Sequence, residues 1–352
     1  MSHYTVLVAI DPNDPKRPDL QTALAPFDEN LEVEPYRDYC TGEPSEYWVY
    51  RALKRAAQHV ADGTGILPYD PDFQGASNRS SRKAPAEQRA ELEADAATFH
   101  ALPDPVTWAD IVKLHNERYG TGESDSLLLS EDGRAYTVST YSKNSKWDWY
   151  QIGGRWTGYF YCRPEYTGHP DLIDGEPGTM TEPNFNRAKC DGGPKYMLDF
   201  DATRKMAEAE ELGRHVEFCE LVEHLPEATL WSAFVERHKA EPERYTIEQA
   251  RADYHAQPRV LALKGTDFQY WNDPFERFQR PREEVLARAA VRAVPGFATL
   301  TLEGEWREPG QMGWFGMSDD TPESQDAYYA WANEYVDSLA DDIVLVLVDV
   351  HI

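Results

Sequence analysis

The sequence predicts an α+β protein: a mixed, largely antiparallel sheet with the N- and C-terminal strands adjacent, flanked by clustered helices. Three observations carry this. Both ends are β-branched, apolar runs, YTVLVAI at residues 4–10 and IVLVLVDVHI at 343–352. A hairpin signal, Glu131-Asp132-Gly133-Arg134, separates two apolar stretches in the first half. Helical patterns then come in groups instead of alternating one strand with one helix, which disfavours a doubly wound parallel sheet.

Taken in order, residues 4–10 read as a buried strand stopped by the turn-rich Asp11-Pro12-Asn13-Asp14-Pro15. A short helix is expected at 19–25 and a strand at 31–34. Residues 45–61 have helical periodicity, with Tyr47, Tyr50, Leu53 and Ala57 on one stripe. Residues 63–84 and 163–198 mix Gly, Pro and polar residues and read as long loops. Helices are expected at 87–102 and at 107–119, where Thr107 is the N-cap and Asp110 completes the first turn. Residues 127–129 and 135–138 form the hairpin, and 156–162 a further strand. Helices follow at 202–224, 229–240 and 247–255, making a helical subdomain at 200–256. Strands at 260–263 and 297–302 flank a helix at 282–294, and a helix at 322–339 precedes the final strand. One large domain over residues 1–352 is the expected organisation.

The chain has 352 residues, 41% hydrophobic and 12% aromatic, which excludes general disorder. Its longest apolar run, residues 343–348, is far short of a membrane span. The opening Met1-Ser2-His3-Tyr4 lacks a basic segment leading into an apolar one, so the chain is expected in the cytoplasm, the host's if phage-encoded. Four cysteines without close pairs fit neither a zinc knuckle nor a disulfide framework. With 62 acidic against 35 basic side chains, the net charge of −27 argues against direct binding of nucleic-acid backbone or anionic membrane. It is compatible with a host protein partner, including by mimicry of DNA.

Several stretches resemble one another's counterparts in a known family. They are Met1-Ser2-His3-Tyr4-Thr5-Val6-Leu7-Val8, Leu24-Ala25-Pro26-Phe27, the central Ser145-Lys146-Trp147-Asp148-Trp149-Tyr150-Gln151-Ile152-Gly153-Gly154-Arg155-Trp156, Met180-Thr181-Glu182-Pro183, Gly313-Trp314-Phe315-Gly316 and Val348-Asp349-Val350-His351-Ile352. Together the chain resembles an uncharacterised protein family associated with tailed bacteriophages and bacterial prophages. The resemblance implies a phage-type protein and no particular activity. Val350 stands where that pattern leads one to expect Cys, which argues against a thiol role there.

Two constellations are candidates for chemistry. Alternation puts His3 and Thr5 on one face of the first strand and Asp349 and His351 on one face of the last. Antiparallel pairing of the termini would gather them at one rim of the sheet. Two imidazoles and a carboxylate suit a catalytic acid/base pair or a divalent metal, so His3, Asp349 and His351 are candidates for both. The alternatives are solvated strand-end residues or a structural His–Asp pair. The single His3-Tyr4-Thr5 match to the His-x-Thr pattern of two-histidine phosphoesterases has no second copy and carries no weight.

The second is residues 141–156, a cationic, aromatic island in an acidic chain. Lys146, Trp149, Arg155 and Trp156 are its candidate ligand-binding residues, joined by Trp314 from a Gly- and aromatic-rich loop. Aromatic faces stack on bases, and Arg grips phosphate or carboxylate bidentately. The same tryptophans suit a packed core corner, with Trp147 and Trp149 sharing one strand face.

The sequence therefore leaves two readings. One is an enzyme or binder acting on a nucleotide-like or phosphorylated small anionic ligand. The other is a non-enzymatic acidic protein that inhibits a host factor.

Overall fold

Two strands from opposite ends of the chain form the centre of the main sheet. β1 (His3–Ile10) pairs antiparallel with the final strand over its whole length, from His3 opposite His351 to Ile10 opposite Val344. The computed structural model describes residues 3–63, 85–120, 122, 126–179, 181–270, 274–312 and 318–352. The chain divides into two compact units, one of Met1–Leu31 with Lys143–Ile352 and one of Glu32–Ser142.

In chain order the remaining strands are β2 (Glu32–Tyr39), β3 (Leu128–Leu129), β4 (Ala135–Tyr141), β5 (Trp149–Gly154), β6 (Phe160–Tyr161), β7 (Glu176–Pro177), β8 (Lys189–Cys190), β9 (Gly192–Pro194), β10 (Ala298–Leu300), β11 (Trp306–Arg307) and β12 (Val344–His351). The larger unit holds a seven-stranded sheet in the order β11-β10-β1-β12-β5-β7, with β9 also on β12. Only the β1–β10 and β5–β7 pairs are parallel. The fold is therefore α+β with a mixed, largely antiparallel sheet, as the sequence predicts.

Alternation along β1 and β12 sorts their side chains into two cores. Tyr4, Val6, Val8 and Ile10 join Val346, Val348 and Val350 on one face, packed on Leu24, Phe27 and Trp147. Leu7, Ala9, Leu345 and Leu347 face the other way, onto Phe160, Leu198, Val336 and Leu339. Fully burying each such Val or Leu contributes about 1.5–3 kcal/mol, so the central pair is anchored from both sides. Only at its rim does the second face turn polar, with His3, Thr5, Asp349 and His351.

Several local expectations are corrected. Residues 260–263 are helical, not extended: the helix Pro258–Ala262 starts with Pro at its first position behind Gln257. Of the strand expected at 156–162, only β6 forms. The loop at 163–198 carries three short strands, β7 to β9, and the expected loop at 63–84 lies outside the described residues beyond 63. The helices Phe200–Leu221, Trp231–Ala240 and Ile247–His255 are continued past residue 256 by Pro274–Phe278 and Arg282–Arg292. Phe218, Phe275, Phe278 and Val285 make their shared core, and buried Glu211 takes two 2.6 Å hydrogen bonds from Arg277.

In the smaller unit, β4 lies between β2 and β3, and β3–β4 is the expected Asp-Gly hairpin. The helix Trp108–Tyr119 begins with Thr107 and Asp110 in reciprocal capping. Among the described residues no helix is long and apolar enough to cross a membrane.

Candidate functional site

At the rim, His3 and His351 face each other across the β1–β12 pair, with ring centroids 5.0 Å apart and edge-to-face. Each imidazole has its own carboxylate. His3 Nδ1 lies 2.7 Å from Asp349 Oδ1, and His351 Nδ1 lies 2.5 Å from Asp148 Oδ1. An ionised carboxylate only accepts, so against it Nδ1 is the donor in both rings and Nε2 is the nitrogen left to other partners. His351 Nε2 is the one buried side-chain N or O atom among the described residues without a hydrogen-bond partner.

Asp148 reaches this position through a break in the strand pattern. The chain bends at Asp148, whose N–H donates to the His351 carbonyl at 3.0 Å, and β5 begins only at Trp149. The bend also separates the tryptophans that alternation would place on one face. Trp147 is buried in the first core, donating its indole N–H to the Leu24 carbonyl at 3.2 Å. Trp149 pairs with His351 in register, stands edge-on to His3 at 6.1 Å and is 47% exposed.

Beyond β5 the chain turns back beneath the rim. Gly153 and Gly154 both have positive φ, +72° and +54°, which L side chains rarely adopt. Their neighbours leave no room either. A Cβ on Gly154 would lie 2.5 Å from the Asp349 Cβ, and one on Gly153 would lie 2.6 Å from Asp191 Oδ2. The turn brings the Arg155 N–H to within 3.0 Å of Asp349 Oδ2, so Asp349 ties His3 to this loop. The Arg155 side chain is exposed and makes no ion pair among the described residues.

Asp191, fully buried, holds the loop from below. It accepts from Gly158 N–H at 2.7 Å, Tyr159 N–H at 3.3 Å, Gly175 N–H at 2.8 Å and the Thr157 hydroxyl at 3.2 Å. Burial pushes its carboxyl above the ordinary carboxylate range, against the opposing pull of these donors.

Not every residue singled out from the sequence reaches the rim. Lys146 is paired with Glu308, Nζ to Oε1 at 2.7 Å, which removes it as a free anion ligand. Trp156 is half-buried against the second core. Trp314 lies outside the described residues. Among the described residues no group of three or more His, Cys, Asp or Glu is arranged to hold a metal ion. Of the residues named from the sequence as metal candidates, His3 turns Nδ1 onto Asp349 and His351 turns Nδ1 onto Asp148. The cysteines are unpaired, and burial pushes the Cys190 thiol up to about 12, which leaves it a thiol and unreactive.

Two residues escaped the sequence. Strict alternation places Asp148 on the face opposite Trp147 and Trp149, and the bend turns it to His351. Asp191 lies in a Gly- and Pro-rich stretch with no periodicity to single it out.

No family model, curated protein or solved structure matches the chain.

Proposed function

We propose that the rim of the main sheet binds a small phosphorylated, nucleotide-like ligand and that His351 Nε2 is the atom that meets it. The observation carrying this reading is the buried, unpartnered Nε2 of an imidazole whose other nitrogen is held by Asp148. A buried polar atom without a partner costs roughly 1–3 kcal/mol, a cost that a ligand atom at this position removes. With Nδ1 protonated, Nε2 accepts a proton as the neutral ring or donates one as imidazolium, which equips the site for acid/base work.

His3, held by Asp349, stands as the second imidazole. Arg155 is the anion clamp: its guanidinium is exposed, and its backbone is fixed to the same Asp349 carboxylate. The segment 145–156, most distinctive in the bacteriophage-type resemblance, supplies Asp148, Trp149 and Arg155. We accordingly read the chain as a phage-type protein that acts in the host cytoplasm.

A thermal-shift panel of nucleotides, sugar phosphates and inorganic phosphate tests this on the full chain with His351→Gln and Arg155→Ala. The wild type gains about 2.7 kcal/mol of apparent stability at a hundredfold excess of a binding compound over its Kd, and both variants lose most of that gain. Equal stabilisation of wild type and His351→Gln removes the rim from the reading. No shift with any compound turns the assignment to a host protein bound through the acidic surface.

A further inference from the structure

Resting on that reading, we infer that the ligand of the rim carries an aromatic base and that Trp149 is the platform on which the base stacks. Trp149 belongs to a strand whose next residue, Tyr150, packs onto the first core, yet Trp149 itself is left 47% exposed. Its place opposite His351 in the β5–β12 register puts it on the face that also presents Asp349 and His351. Among the described residues its ring contact is with the His3 imidazole alone, at an interplanar angle of 73°. At that angle the indole has no parallel-stacked ring partner among the described residues.

The surroundings of Trp149 favour a base over a sugar. Trp149, His3 and His351 form a contiguous run of three rings. The polar groups beside Trp149 each have a partner within the chain. Asp349 is held by His3 and the Arg155 N–H, and Asp148 by His351. The Gln151 amide donates to the carbonyls of Glu176 and Pro177 at 3.1 and 3.4 Å. An exposed indole beside two further rings suits the π-face of a base.

The inferred polarity of the bound ligand runs between Trp149 and Arg155. From the indole, His3 lies 6.1 Å away, its Nδ1 is 2.7 Å from Asp349, and Asp349 is 3.0 Å from the Arg155 N–H. Asp349 thus links His3, the ring neighbour of Trp149, to the backbone of Arg155. The base lies on Trp149, the phosphate approaches Arg155, and His351 Nε2 addresses the part between them.

The test is a calorimetric titration of the full chain with AMP, ribose 5-phosphate and inorganic phosphate, using wild type, Trp149→Ala, Trp149→Phe and His351→Gln. Circular dichroism checks that each variant is folded. Wild type is expected to bind AMP roughly 5- to 150-fold more tightly than ribose 5-phosphate, the range that one stacked base supplies. Trp149→Ala brings AMP down to the affinity of ribose 5-phosphate without weakening the latter, Trp149→Phe restores much of the difference, and His351→Gln weakens both. If wild type binds both equally and His351→Gln still weakens both, base recognition is overturned while the phosphorylated-ligand reading stands. The same holds if Trp149→Ala leaves the AMP preference intact. Binding of none of the three probes overturns the reading and the inference together.

Discussion

Asp349 and Asp191 are buried carboxylates beneath neighbouring glycines of one turn, yet their oxygens serve different ends. Asp191 turns both oxygens to the chain itself, three backbone N–H groups and one hydroxyl, and meets no titratable side chain through them. Asp349 gives one oxygen to the Arg155 N–H and the other to the His3 imidazole at the rim. The first arrangement is an anchor, because everything it holds is backbone or next to it. The second is a joint between backbone and a group that can exchange protons. Burial alone therefore does not distinguish a structural carboxylate from a functional one; the identity of the donors does.

The largest effect should come from removing the anchor. Asp191→Ala leaves four donors without their acceptor and is expected to cost roughly 3–5 kcal/mol in urea unfolding. Next comes Gly154→Ala, which combines a left-handed backbone with a Cβ pressed against Asp349. A loss of about 2–3 kcal/mol is expected, with weakened ligand binding because Asp349 must shift. Asp349→Asn should cost less stability than Asp191→Ala, roughly 1–3 kcal/mol, but abolish ligand-induced stabilisation. A greater stability loss for Asp349→Asn than for Asp191→Ala would invert the comparison.

Lys146→Ala removes the partner of the poorly exposed Glu308 and is expected to cost about 1–2 kcal/mol while leaving ligand binding unchanged. A binding defect would return Lys146 to the site. The smallest effect is in pH dependence. Because burial raises the folded-state pKa of Asp191, its contribution to stability is present below the unfolded value, about 3.9, and is lost as pH rises through the folded one. Wild type should accordingly lose more stability than Asp191→Asn on going from about pH 4 to neutrality. Parallel pH profiles would contradict this.

Much of the rim was legible from alternation alone. Side chains two apart share a face, so His3 with Thr5 and Asp349 with His351 needed only antiparallel pairing of the termini to meet. The other half of the site depends on departures from regular structure. Asp148 reaches His351 because the chain bends between Trp147 and Trp149, and a period-2 pattern cannot register a bend. Asp191 collects donors from residues 157–159 and 175, a convergence fixed by loop geometry and not by spacing. Lys146 illustrates the reverse failure: a cation in an aromatic island looks available until its partner, 162 positions away, is known. The apolar run at 260–263 suits a strand or a buried helix equally, and Pro258 settles it as a helix start.

The central claim is that His351 Nε2 meets a phosphorylated ligand. Two-bond nitrogen–proton NMR on protein with 15N-labelled imidazoles reads that atom directly. The account predicts that the His351 Nδ1 resonance keeps its protonated character while Nε2 shifts on titration with AMP, and that Arg155→Ala reduces the shift at a given AMP concentration. An Nε2 resonance that stays unmoved while AMP demonstrably binds the chain would contradict it.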